Sequence, residues 1–362
     1  MRTLALTLAL TLVACGSSRG AAYDRAYAEA ERAESAGRLE EAVSAYDQAA
    51  RAAKRPRDRD AARWSAADVL AHAGRLPDAV ARLDALAADA ASDHQAEAAY
   101  RAALLRVEHE QAERGWRDLE QLVRHFPSHG VAHVALRKLV EHADATSVRA
   151  GLDELKALGR DLDGTDLTQL IAYLSAVHLE QLGDDAGAYA AYLRIADRWP
   201  YPRGPFFDDV LWNASLLDEK AGRAQAAVDD LERLVAVRET TTLVGSYERA
   251  RYVPSMLRIG KLYADVLHDR ERARATYHRL YTDFAHSTFR DDALWKEATL
   301  WRQDGDASTA CSRLSTLVHE FPDSRYVPCA TASCPGVERP SKSGAPKECR
   351  EYIERGGAER PE

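Results

Sequence analysis

The sequence predicts an all-α protein: an array of about eight helical hairpins, closed at its C-terminus by a disulfide-stapled cap. Three observations predict it. A pattern of small and large apolar residues recurs at nearly constant spacing, glycines fall where hairpins must turn, and four cysteines crowd the last 52 residues. An irregular helical bundle is the alternative, but it has no reason to keep one register along the chain.

The repeat comes first. "GRLEEAVSAYDQA" (37–49), "GRLPDAVARLDAL" (74–86) and "GRAQAAVDDLERL" (222–234) share one pattern, and "GDDAGAYAAYLRI" (183–195) and "GDASTACSRLSTL" (305–317) repeat it. Glycine is followed five residues later by alanine, then by a large apolar residue four further on. Marked by its small residue, the unit recurs at Ala42, Ala79, Gly115, Gly151, Ala188, Ala227, Ala273 and Ala310. The gaps are 37, 36, 36, 37, 39, 46 and 37 residues, a period that signals stacked supersecondary units.

Each unit reads as two amphipathic helices joined by a tight turn. Gly37, Gly74, Gly183, Gly222 and Gly305 end the first helix, because glycine takes the left-handed conformation at no steric cost. The small residue lets the second helix approach the first. Tyr46, Leu83, Leu119, Leu155, Tyr192, Leu231, Tyr277 and Leu314 then share one face and fill the space between hairpins. Pro127, Pro200 and Pro322 end second helices. One hairpin cannot bury its apolar face alone, and stacking does so. The 46-residue gap holds "RETTTLVGSYERARYVP" (238–254), read as a loop insertion that extends the next helix.

This pattern resembles the tetratricopeptide repeat (TPR) over residues 24 to about 325. Junctions such as "LVRHFPSHGVA" (122–132), "DFAHSTFRDDALW" (283–295) and "HEFPDSRYVPCA" (319–330) resemble those of envelope TPR lipoproteins. These include the TPR component of the outer-membrane β-barrel assembly complex and the TPR domain of the Tol-Pal coordinator. Fifteen residues before the small residue stand Tyr27, Trp64, Tyr100, Leu136, Tyr173, Trp212 and Trp295, and one extra residue in the seventh turn adds Leu257. In the TPR family this position tends to face the concave surface, where amphipathic rings suit an extended peptide. The other reading seals each hairpin against its neighbour, and one ring can do both. The surrounding Glu97, Glu180, Asp209, Glu219, Asp292 and Arg302 are mostly acidic and suggest a partner with basic or donor-rich segments.

At the N-terminus, Arg2 precedes an apolar run from Leu4 to Val13. That run is too short for ~30 Å of hydrocarbon, which takes ~20 helical residues, but it suits the core of a secretory signal. Leu12-Val13-Ala14-Cys15 resembles the lipobox of bacterial lipoproteins, whose signal is cut before the cysteine. The resemblance implies lipidation of Cys15, with two or more acyl chains giving a firm anchor. Residues 1–14 are then the signal and 15–22 a polar tether. Gly16 after the cysteine implies, by the same resemblance, release to the outer membrane with the chain facing the periplasm.

With Cys15 lipidated, Cys311, Cys329, Cys334 and Cys349 form an even set, for which export makes disulfides the default. They lack the paired C-x₂₋₄-C knuckles of a zinc site. A stub of a ninth first helix would run antiparallel to the preceding helix. Walking back ten residues from Phe321 covers ~15 Å, and nine forward from Arg325 ~13.5 Å. The expected pairs are therefore Cys311–Cys334 and Cys329–Cys349, stapling a cap over 328–362 that closes the array of 23–327.

No H-E-x-x-H, G-x-S-x-G, Walker loop or G-x-G-x-x-G occurs, so neither an enzyme nor a cofactor is expected. His125, His129 and His133 are interrupted by Pro127, so at most the last two share a face, and no metal is expected. A net charge of −8 without a basic block argues against nucleic acid. The expected function is a lipid-anchored scaffold for envelope proteins or extended peptide segments. The alternative is a peptidoglycan- or glycan-binding accessory, related to lytic-transglycosylase superhelices but without a catalytic domain.

Overall fold

The computed structural model describes residues 19–109, 111–237, 249–350 and 353. Cys15, the signal and most of the tether lie outside the described residues, as do 238–248 of the insertion. Eight hairpins follow in chain order. They are α1 (Ala21–Ser35) with α2 (Leu39–Ala52), α3 (Pro56–His72) with α4 (Leu76–Ala87), α5 (Gln95–Val107) with α6 (Ala112–His125), and α7 (Gly130–Asp144) with α8 (Val148–Asp161). Next come α9 (Thr168–Gln181) with α10 (Asp185–Arg198) and α11 (Phe207–Lys220) with α12 (Ala224–Ala236). Then α13 (Tyr252–Lys261) pairs with α14 (Arg270–Asp283), and α15 (Arg290–Gln303) with α16 (Ala307–Glu320), before a stub, α17 (Val327–Ser333). The chain divides into two compact units, one up to Leu170 and one from Ile171, and each is by itself a stack of hairpins.

The turns form for the expected reason. Gly37, Gly74, Gly183, Gly222 and Gly305 have φ between 70° and 83°. After each, the next N–H reaches back five residues to a free helix carbonyl, as from Arg38 to Ala33 at 2.8 Å and from Asp306 to Trp301 at 3.0 Å. These are Schellman closures, which satisfy carbonyls that the helix end leaves open. In the seventh hairpin His268 takes the glycine's place at φ 53°. The extra residue is absorbed just before it, where Leu262–Val266 winds as a π-helical turn.

All eight marker positions are buried, and so are all eight large residues four positions later. Gly115 shows why the marker must be small: a Cβ there would lie 2.6 Å from the Ala103 carbonyl oxygen. In the first unit, Ala42, Tyr46, Ala79, Leu83 and Leu86 belong to one apolar cluster with residues of α1, α3 and α5. The second unit has a larger cluster around Tyr192, Leu231 and Tyr277.

The C-terminal cap belongs to the second unit. Cys311 pairs with Cys334 and Cys329 with Cys349, at Cα separations of 5.6 Å and 4.7 Å. Helix counting along an antiparallel stub anticipates this connectivity. The bridges hold Val337, Ala345 and Ile353 against Trp295, Leu314, Leu317 and Val318, the face that a ninth hairpin would otherwise cover. Among the described residues no helix is long and apolar enough to cross a membrane.

Candidate interaction surface

The six aromatics of the first helices share one kind of neighbour: the first helix of the next hairpin, or the residue that opens it. In the first unit Tyr27 hydrogen-bonds through its hydroxyl to Ser65 Oγ at 2.9 Å and lies edge-on to Tyr46. The Trp64 ring is 6.4 Å from that of His94, which opens α5. Tyr100 is half-buried, and desolvation, with the Glu141 charge behind it, raises its phenol pKa. In the second unit Tyr173 stacks on Phe206, which opens α11, at 4.5 Å. Guanidiniums of Arg251 and Arg258 lie 5.0 Å and 5.1 Å from the Trp212 ring. Trp295 stacks on Tyr326, which opens α17, at 5.1 Å.

Burial separates these rings. Trp295 is 2% exposed and belongs to the core beneath the cap. Tyr27, Trp64, Tyr100, Tyr173 and Trp212 are half-buried. Each of the five thus contributes partly to the seam between hairpins and partly to the surface. Leu136 is buried and Leu257 half-buried.

The acidic neighbours require a correction, because their charge is largely matched within the chain. Glu180 accepts from the Tyr192 hydroxyl at 2.7 Å. Asp209 pairs with Arg251 at 3.1 Å, Glu219 with Arg258, and Asp292 with both Arg325 and the Tyr326 hydroxyl at 2.6 Å. Arg302 donates to Ser333. In three of these cases the arginine comes from the next first helix or stub, or from the turn that leads into it. Stacking brings Asp209, Glu219 and Asp292 each opposite an arginine, so a basic partner has little unmatched acid to meet at these three positions.

Local contacts hold two of the three histidines. His125 Nδ1 binds the Gln121 carbonyl at 2.8 Å, within its own helix. His129 caps α7, its Nδ1 accepting from the Val131 N–H at 3.3 Å, and its Nε2 lies 3.4 Å from Glu97 Oε1. The carboxylate that sequence spacing does not place beside these histidines comes from the previous hairpin. Among the described residues no group of three or more His, Cys, Asp or Glu is arranged to hold a metal.

Two buried polar centres escape the sequence reading. Asp218 is fully buried and held by Arg223 Nε at 2.7 Å. Asp230, 8% exposed, has its pKa pushed up to about 7 by burial and then by the Asp218 charge. Burial, followed by the Asp230 charge, also pushes the nearby Tyr189 phenol up to about 12. A signal existed: residues twelve apart meet across a hairpin turn, as Tyr46 with Glu34 and Tyr192 with Glu180 also do. The second centre is Arg249, whose partners lie on four segments and carry no sequence signal.

A tetratricopeptide-repeat family model matches residues 292–324, which hold most of α15 and all of α16. A comparison with curated protein sequences finds no significant match. Among solved structures, a tetratricopeptide repeat protein from Parabacteroides merdae is 14% identical, with 76% of this chain and 98% of that chain covered and a TM-score of 0.32. BtubC from P. vanneervenii is 14% identical over 69% of this chain and 96% of its own, with a TM-score of 0.41. The pilF protein of Pseudomonas aeruginosa is 17% identical over 64% and 94%, with a TM-score of 0.36. With TM-scores below 0.5 and identities this low, these remain likenesses from which nothing further follows. The register of the hairpins, together with the family match over the last of them, shows a tetratricopeptide-repeat fold.

Proposed function

We propose that the chain is a lipid-anchored, periplasm-facing scaffold of the bacterial outer membrane, binding extended segments of other envelope proteins and doing no chemistry itself. The observation that carries this reading is the set of five half-buried aromatics on first helices. A ring fixed along one edge by the next hairpin loses little entropy on binding, and its remaining surface is amphipathic. Within each unit the stacked hairpins repeat such rings from one first helix to the next, which suits a partner in extended or helical form. The lipobox at Cys15 supports the anchor, and the C-terminal disulfides suit an oxidising compartment.

Cross-linking in intact cells followed by affinity recovery tests the reading. Envelope proteins should be recovered, and recovery of glycan or muropeptides alone overturns it. Combined Tyr100→Ala, Tyr173→Ala and Trp212→Ala substitution should abolish partner recovery while the helical fold persists. If thermal stability collapses instead, the rings serve the core.

A further inference from the structure

Arg249 lies in a cage of three rings. Its guanidinium carbon is 3.9 Å from the ring centre of Tyr201, 4.5 Å from that of Tyr252 and 5.9 Å from that of Phe207. Nη1 is 3.0 Å from Asp208 Oδ1. Nη2 donates to the carbonyls of Leu234 at 3.1 Å and Val237 at 2.9 Å. Only 10% of the Arg249 side chain is exposed. The walls come from the segment before α11, from α11, from the end of α12 and from α13.

The chemistry of these walls is selective. Ring faces attract a cation, and they hold a planar, weakly hydrated one best. Two carbonyls accept from Nη2 on one side, and on the other the Asp208 carboxylate lies at ion-pair distance from Nη1 without a hydrogen bond to it. A lysine ammonium is compact and strongly hydrated, and it cannot both stack flat on a ring and reach all three acceptors. Burial raises the Asp208 pKa even with Arg249 beside it, so this carboxylate depends on its cation.

We propose that Tyr201, Phe207, Asp208 and Tyr252, with the Leu234 and Val237 carbonyls, form a guanidinium-binding site. The chain fills it with its own Arg249, and the vacated site accepts a guanidinium ion from solution. The site fastens the start of α13 to the α11–α12 hairpin at the longest gap in the repeat.

The test uses full-length Arg249→Ala with guanidinium chloride at low millimolar concentration, and ammonium chloride and urea as controls. The variant should melt several degrees below the unaltered protein. Guanidinium should restore at least half of that loss, and ammonium and urea should restore none. The unaltered protein should show no rise, and adding Tyr201→Ala to the variant should remove the rescue. If guanidinium leaves the Arg249→Ala midpoint unchanged or lowers it, the proposal fails. Should Arg249→Ala lack a cooperative transition, refolding yield by circular dichroism, with and without guanidinium, replaces the midpoint. No guanidinium-specific gain there also overturns the site.

Discussion

Asp230 ties one carboxyl group to the stability of the second unit. Its folded pKa of about 7 lies above its ordinary value of 3.8, first through burial and then through Asp218, with Asp229 adding and Arg233 opposing. The folded state therefore holds the proton more tightly than the unfolded chain. That contribution is fully present below about pH 4 and is lost as pH rises through about 7, on the order of 4 kcal/mol in all. Asp230→Asn mimics the protonated acid. It should flatten this part of the pH profile and raise the melting temperature at pH 8, as read by thermal unfolding across pH. Gly115 makes a steric prediction of the same kind. Gly115→Ala places a methyl against the Ala103 carbonyl and Val107, backbone and side chain that cannot both yield. Helix propensity alone favours alanine by about 1 kcal/mol, and overpacking costs about 1–3 kcal/mol, so the clash should win. Denaturant unfolding should show a net loss, and a gain would mean that α5 and α6 can separate at little cost.

At the scale of elements, within each unit a hairpin depends on a turn and on the next hairpin's first helix. Five turns use glycine at φ 70° to 83°, and the seventh uses His268 after a π-helical turn, so one inserted residue changes the winding and leaves the register intact. Ion pairs link neighbouring second helices in the same way, as Arg82 to Asp47 at 2.7 Å and Arg233 to Asp197 at 2.7 Å. Beside the last described hairpin, the cap takes the place of a successor. The Cys329–Cys349 bridge closes a 20-residue separation, for which loop entropy gives about 3 kcal/mol. Cys329→Ser with Cys349→Ser should lower stability by roughly that amount. It should also loosen Val337, Ala345 and Ile353 from Trp295 and Val318, read as a lower melting temperature and increased binding of an apolar dye. An unchanged melting temperature would show that apolar contacts hold the cap unaided.

For the whole molecule, the proposed membrane attachment and the folding of the hairpins are separate properties. No described helix can span a bilayer, so the proposed anchor rests on acyl chains at Cys15. Cys15→Ser should release the chain from the membrane fraction with its circular dichroism unchanged. Retention in that fraction would refute the lipoprotein reading. The net charge of −8 fits a partner other than nucleic acid.

The number of hairpins, their register, the turn glycines and the cysteine pairing are all legible in the sequence. They rest on short-range rules: a helix repeats every 3.6 residues, only glycine turns freely at positive φ, and a stub must run antiparallel. Only the tertiary structure decides how deeply Trp295 is buried compared with Tyr100, and that Arg251 and Arg258 match the acids around Trp212. It alone closes three rings on Arg249. Those outcomes depend on which helix faces meet across one or more repeats. Many small packing terms fix that alignment together, and none of them leaves a local pattern in the chain.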